Sequence, residues 1–260
     1  MPVVSERPAS VVPLRRRSSR SRGPTAVSTA SNSSVVDPVM APLCARFCGF
    51  RKRLCHSVRG TDSVTSVDRQ FWEDRYRGCE QVFSGAPNGV LAAEVAGLAP
   101  GEALDVGCGE GADARWLAHR GWRVTAVDLS RTALRRAATT GADVAARVAW
   151  AEGDLTAVAP PAGAFDLVSL QYFPLRRSPG HRALRGLLDA VAPGGTMLFV
   201  SHALTGLSSE HAGYYQPSDV AALLGAGWTV LADEIRARPG PPPEGTQHTH
   251  DTVLRAERLR

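Results

Sequence analysis

Hydrophobic positions change their spacing repeatedly along this chain, and the changes divide it into elements. From Val67, "VDRQFWEDRYRG" reads as an amphipathic helix with Phe71, Trp72 and Tyr76 on one face. A turn at "SGAPNG" (84–89) leads to a second helix, "VLAAEVAGLAP", which Pro100 and Gly101 terminate. Apolar strand-like runs then alternate with helical ones. "ALDVG" (103–107), "RVTAVDL" (123–129), "ARVAWAE" (146–152), "FDLVSLQ" (165–171) and "TMLFVSH" (196–202) read as five strands. Helices are expected at "ADARWLAHRG", at "SRTALRRAAT" with Ser130 as N-cap, and from about Gly180 to Val191. A further helix at 216–227 is expected to begin at Ser218 or its neighbours. The last two extended stretches, "WTVLADEIRAR" and "HTHDTVLRAERL", have no room for a crossover helix between them and should pair antiparallel. The pattern predicts an α/β fold whose seven-stranded sheet is mostly parallel with an antiparallel C-terminal strand.

A chain of 260 residues with 43% hydrophobic content holds one sizeable core, so a single domain over 63–260 is the simplest division. No apolar run approaches the length of a membrane span, and no membrane association is expected. Residues 1–62 differ in texture. They are rich in Ser, Arg and Pro, with "RRRSSRSRG" at 15–23, and bury too little apolar surface to offset the entropy of ordering. A disordered basic leader is expected there, either a functionless tail or translated sequence upstream of the true start. Its Arg- and Ser-rich composition is also that of a transit peptide. The twenty-nine Arg against the single Lys52 mark a GC-rich coding sequence and favour the first two readings. Arg15 and Arg16 suggest a twin-arginine signal, but no apolar segment follows, so export is not expected.

The leader also carries the charge. Residues 1–60 hold eleven basic side chains against Glu6 and Asp37, a net of +9, while the remaining 19 basic and 23 acidic residues leave 61–260 at −4. A body of that sign offers no evident basic track for phosphates, and no nucleic-acid partner is expected. Cys44, Cys48, Cys55, Cys79 and Cys108 make an odd set unlike a secreted disulfide framework, which points to a reducing, cytoplasmic setting. Cys44 and Cys48 with His56 lack standard zinc spacing, and no metal is expected.

The chemistry centres on "LDVGCGEGADA" (104–114). Gly107, Gly109 and Gly111 follow an apolar strand and open a helix, where residues without Cβ let the backbone turn sharply and approach a ligand. Asp128 ends the second strand, 21 positions after Gly107, where a carboxylate with Leu129 beside it can accept both hydroxyls of a ribose. That contact serves a dinucleotide as well as S-adenosylmethionine. Asp105 and Glu110 separate the two, because acidic neighbours oppose a pyrophosphate and suit a cationic ammonium and sulfonium. Asp105 could equally hold the turn through loop amides. Asp154, just beyond the third strand, can meet an adenine amino group with Leu155 against the ring, or can be a solvated turn residue. Ser169, Gln171, Tyr172 and Phe173 stand at the carboxyl end of the fourth strand beside the topological switch, where they can touch the sulfonium and an acceptor.

In order and spacing, "LDVGCGEGADARWLAHRGWRVTAVDLS", "GDL", "FDLVSLQYF" and "VAPGGTMLFV" resemble the successive motifs of the class I S-adenosylmethionine-dependent methyltransferases over roughly residues 68–258. The resemblance implies a Rossmann-like three-layer sandwich, with Gly107 and Gly109 as the cofactor loop, Asp128 as ribose ligand and Asp154 near adenine. "FWEDRY" and Pro87–Asn88 are similar to the small tellurite-resistance and thiopurine-type members, with Phe83 where those often have Trp. By that likeness Trp72, Tyr76 and Phe83 cap the active site; alternatively they dock the first helix on the body. The stretch "SLQYFP" departs from the "NPPY" or "DPPY" of enzymes that methylate DNA or glutamine amides, which removes support for such acceptors.

Among His202, His211, His248 and His250, His202 is best placed to act as a base, and "HTHD" (248–251) resembles a metal tract but suits the face of a hairpin equally. Tyr172, His202 and Gln171 are the candidate acceptor contacts. The expected reaction is in-line methyl transfer to a thiol, another heteroatom or a metalloid anion on a small molecule, catalysed by a monomer or weak dimer. An NAD-dependent oxidoreductase and a non-catalytic S-adenosylmethionine-binding protein are the alternatives.

Overall fold

A computed structural model describes residues 64–203, 212–239 and 249–260. The expectations for the leader, for Cys44, Cys48, Cys55 and His56, and for His211 and His248 lie outside the described residues.

In chain order the elements are α1 (Val64–Arg77), α2 (Gly89–Val95), β1 (Glu102–Val106), α3 (Ala112–His119), β2 (Arg123–Asp128), α4 (Arg131–Thr140) and β3 (Val148–Glu152). They continue with β4 (Phe165–Gln171), α5 (Arg182–Ala190), β5 (Val191–His202), α6 (Pro217–Leu223), β6 (Trp228–Ala237) and β7 (His250–Arg258). The seven strands form one sheet in the order β3-β2-β1-β4-β5-β7-β6. β1 through β5 pair parallel, and β7 lies antiparallel to both β5 and β6, as the crossover argument requires. The sheet order reverses between β1 and β4, which opens a crevice at the carboxyl ends of those two strands.

Both faces of the sheet are covered, which makes three layers. Leu104, Val106, Val168, Leu170, Met197 and Phe199 face α5 and α6. Ala103, Leu167, Leu198, Val200 and Val253 face α2 and α3. The two sets alternate along β1, β4 and β5, so strands that read as continuous apolar runs are buried on both sides. Trp122, 2% exposed, fills the second layer at the start of β2.

Local signals set several boundaries. Ser130 caps α4, its hydroxyl accepting the Ala133 amide at 3.1 Å. The cap of α6 is Gln216 rather than Ser218: Pro217 begins the helix, and the Asp219 carboxylate accepts the Gln216 amide at 2.8 Å. The last parallel strand begins at Val191, earlier than the apolar run suggests. Residues 192–195 bulge between the pairings Phe165–Val191 and Leu167–Thr196, with Gly194 at φ +80° and Gly195 too close to the Phe165 and Asp166 carbonyls for a side chain.

Candidate active site

The loop after β1 turns on three glycines, Gly107, Gly109 and Gly111, at φ of +73°, +54° and +79°. Each is closely covered. A Cβ on Gly107 would lie 2.6 Å from the Phe173 ring, one on Gly109 2.8 Å from the Tyr76 hydroxyl, and one on Gly111 2.5 Å from Trp150. The Val127 carbonyl accepts the amides of Gly107 and Cys108 at 2.9 and 3.0 Å and ties the loop to β2.

Three carboxylates lie buried beside this loop. Asp128 accepts the Gly109 amide on one oxygen (2.9 Å) and the Ser130 amide on the other (2.8 Å), so the residue expected to meet a ribose also braces the loop. Asp113 takes the Asn88 amide and side-chain NH2, both at 2.7 Å. Asp105, 2% exposed, has an Oδ2 without a hydrogen-bond partner among the described residues. Burial, then the charges of Asp113 and Asp128, push its carboxyl well above the ordinary range, against the lowering effect of the Ala114 amide. Such a carboxylate beside a ligand crevice calls for a cation.

Glu110 plays a different part from the one expected. It accepts the Val82 and Phe83 amides at 3.0–3.2 Å and pairs with Arg136 at 2.9 Å, so its charge is balanced within the protein. The carboxylates left buried beside the loop are Asp105, Asp113 and Asp128.

The first helix closes over this region. Glu73 accepts the Ser130 and Thr132 hydroxyls at 2.6 and 2.7 Å, and Arg69 donates to the Leu129 carbonyl at 2.9 Å and pairs with Glu152. Asp68 reaches Arg176 at 3.2 Å. Phe71, Trp72, Tyr76 and Phe83 form a continuous aromatic series with centroids 5.3–6.3 Å apart, of which Tyr76 is buried against the loop and Phe83 is 43% exposed. Burial, followed by the Asp128 and Glu110 charges, holds the Tyr76 phenol in its protonated form well above the ordinary range. These contacts dock the first helix on the body.

Of the adenine candidates, Asp154 caps its own turn, accepting the Thr156 amide and hydroxyl at 2.9 and 2.6 Å, and Leu155 packs on the apolar layer of α5 and α6. At the end of β4, Gln171 donates to Ser169 at 3.0 Å, while its buried Oε1 has no hydrogen-bond partner among the described residues. Tyr172 follows at φ +55° and stacks on His202 at 4.4 Å. Its hydroxyl donates to Asp251 at 2.9 Å. His250, next to Asp251, is exposed and contacts Thr249 at 2.9 Å.

The sequence reading missed Asp251, Asp113 and Arg238. Asp113 sits at the start of α3, where an acid is ordinary, and only its burial under Asn88 sets it apart. Asp251 was legible only as part of a His-rich tract, since its partners lie 49 and 79 positions away.

Residues 103–195 match the methyltransferase domain family. Uncharacterized methyltransferases of Mycobacterium tuberculosis and Mycobacterium bovis are 39% identical over 98 residues, which is 38% of this chain, and the chain spans about half (49%) of their length. Among solved structures, one from work on conversion of a disulfide bond into a thioacetal group during echinomycin biosynthesis aligns with a TM-score of 0.57. It shares 22% identity and covers 74% of this chain and 92% of the other. TehB from Haemophilus influenzae aligns at TM-score 0.54 and 16% identity over 73% of this chain and 67% of its own. At those identities the likeness is one of fold.

Proposed function

We propose that this methyltransferase domain binds S-adenosylmethionine in the crevice above β1 and β2 and transfers its methyl group to a small-molecule acceptor at the ends of β4 and β5. The observation that carries the reading is the buried trio Asp105, Asp113 and Asp128 beside a loop of left-handed glycines. A dinucleotide would set its pyrophosphate against those carboxylates; a phosphate-free nucleoside with a cationic amino acid end relieves them.

In this reading Asp105 takes the ammonium, and Gly107 and Gly109 admit the amino acid portion. Asp128, with Leu129 beside it, receives the ribose hydroxyls through lone pairs that the loop amides leave over. Asp154 and Leu155 border the adenine. Gln171 Oε1 points its lone pairs toward the reacting end, with Tyr172 and His202 beyond it on the acceptor side. The cofactor supplies an already activated methyl, so alignment of donor and acceptor within about 3–3.5 Å accounts for most of the rate. No helix among the described residues is long and apolar enough to cross a membrane. A cytoplasmic enzyme without a nucleic-acid partner fits the charge of the body.

Isothermal titration of the purified protein with S-adenosylmethionine, S-adenosylhomocysteine and NAD tests the reading. Micromolar binding of the first two and none of NAD is expected; NAD binding alone would make the protein an oxidoreductase. Turnover on a panel of phenols, thiols, amines and tellurite separates an enzyme from a binding protein that transfers nothing.

A further inference from the structure

β4, β5 and β7 lie side by side, and at the carboxyl edge of the sheet they bring Tyr172, His202 and Asp251 together. His202 and Asp251 are direct partners in the antiparallel ladder, so their side chains share a face. Asp251 is fully buried. Its Oδ2 accepts the Tyr172 hydroxyl at 2.9 Å and faces Arg238 Nε at 3.4 Å. Its Oδ1 has no hydrogen-bond partner among the described residues and lies 3.8 Å from His202 Nδ1. A buried carboxylate oxygen left in this state needs a reason.

The surrounding groups hold the arrangement in place. Tyr172 keeps a left-handed backbone that a bulky residue adopts only when its surroundings impose it, and its ring contacts both His202, stacked at 4.4 Å, and the Arg238 guanidinium at 5.1 Å. The His202 side chain is one-third exposed.

We propose that Asp251 positions His202 as the general base for a neutral hydroxyl acceptor, an alcohol or a phenol; the proposal rests on the methyl-transfer reading above. With Nδ1–H turned to Asp251, the Nε2 lone pair faces the acceptor. The acceptor O–H proton passes to Nε2, an oxygen lone pair forms the O–CH3 bond, and the methyl–sulfur bond breaks to leave neutral S-adenosylhomocysteine. Asp251 balances the imidazolium. A thiol of pKa near 8.5 already supplies a few per cent of strongly nucleophilic thiolate at neutral pH and depends less on a base, whereas a phenol near 10 supplies about thirtyfold less anion and gains more.

Imidazole 15N spectra of the ligand-free protein at pH 8, assigned by loss of signal in H202Q, test the pairing without turnover. The Nδ1–H tautomer is expected for His202, with return to a mixture in D251N, which keeps shape but loses charge. An Nε2–H tautomer in the unaltered protein, or no change in D251N, overturns the proposal. Kinetics with catechol and thiophenol test the acceptor class. D251N and H202Q should lower kcat for catechol by about 10²-fold, with KM within twofold and thiophenol turnover within threefold. Equal loss on both acceptors, or turnover of thiophenol without catechol, overturns it. S-adenosylhomocysteine affinity, measured by calorimetry, should stay within twofold in both variants; a parallel fall assigns Asp251 to scaffolding. If the unaltered protein fails to bind S-adenosylhomocysteine, the methyl-transfer reading falls and this proposal with it; if it binds, failure of the tautomer test sinks the pairing alone.

Discussion

Asp105 is placed at a cost to the ligand-free protein. Its folded pKa is raised, so the unfolded chain releases this proton more readily, and stability falls as pH rises from the ordinary carboxylate range through the raised value. Replacing it by Asn removes that loss while keeping an oxygen for the Ala114 amide. D105N should therefore be more stable at neutral pH by about 1 kcal/mol, about 2–4 °C in Tm, with the gain vanishing at acid pH where both forms are neutral. On the proposed reading, in which Asp105 takes the ammonium, the same variant should bind S-adenosylmethionine about tenfold to a hundredfold more weakly, through loss of a charge-assisted hydrogen bond. Calorimetry of unfolding and of binding reads both. The position of Asp105 could be seen in the sequence, since a strand followed by glycines has one acidic residue inside it. Its missing partner could not, because Asp113 and Asn88 approach only after α2 and α3 pack together.

At the level of elements, α1 is tied to the body by charged side chains, Glu73, Arg69 and Asp68. Glu73 carries much of that anchoring. Burial raises its pKa, but the hydroxyls of Ser130 and Thr132, the Thr132 amide and Arg77 outweigh burial and lower it from 4.5 to about 2. A depressed folded pKa stabilises above the unfolded value and is lost on acidification, so docking of α1 should weaken between about pH 4.5 and 2. E73A should cost about 2 kcal/mol, raise hydrogen exchange throughout α1 at neutral pH, and weaken S-adenosylhomocysteine binding by exposing the loop under Tyr76. Unchanged exchange in α1 would show that the aromatic series alone holds it. The helix itself was legible from the spacing of Phe71, Trp72 and Tyr76. Its docking partners were not, since Glu73 reads as one more solvated charge until Ser130 and Thr132 are 57 and 59 positions away in sequence and adjacent in space. The bulge before Thr196 was likewise hidden, because "APGG" spells a turn whether or not a strand resumes on both sides of it.

The molecule as a whole divides by charge, and that division was readable from composition. Residues 61–260 carry −4 and the first sixty +9, so retention on heparin should belong to the full chain and disappear from protein beginning at residue 61. Retention of the shorter protein at physiological salt would reveal a basic patch assembled by folding. The mostly parallel sheet was legible from the alternation of strands and helices, but its strand order was not. The insertion of β7 between β5 and β6 was hidden too, because an antiparallel pair can join β5 through either of its strands. That insertion has a consequence for the chain during synthesis. β7 is the last strand translated, and Asp251 arrives beside His202 only after β6 has already been made. On the proposed reading, a nascent chain can assemble its donor crevice before the far wall of its reaction chamber exists, so a stop codon between β6 and β7 should yield a polypeptide that holds the donor but methylates nothing.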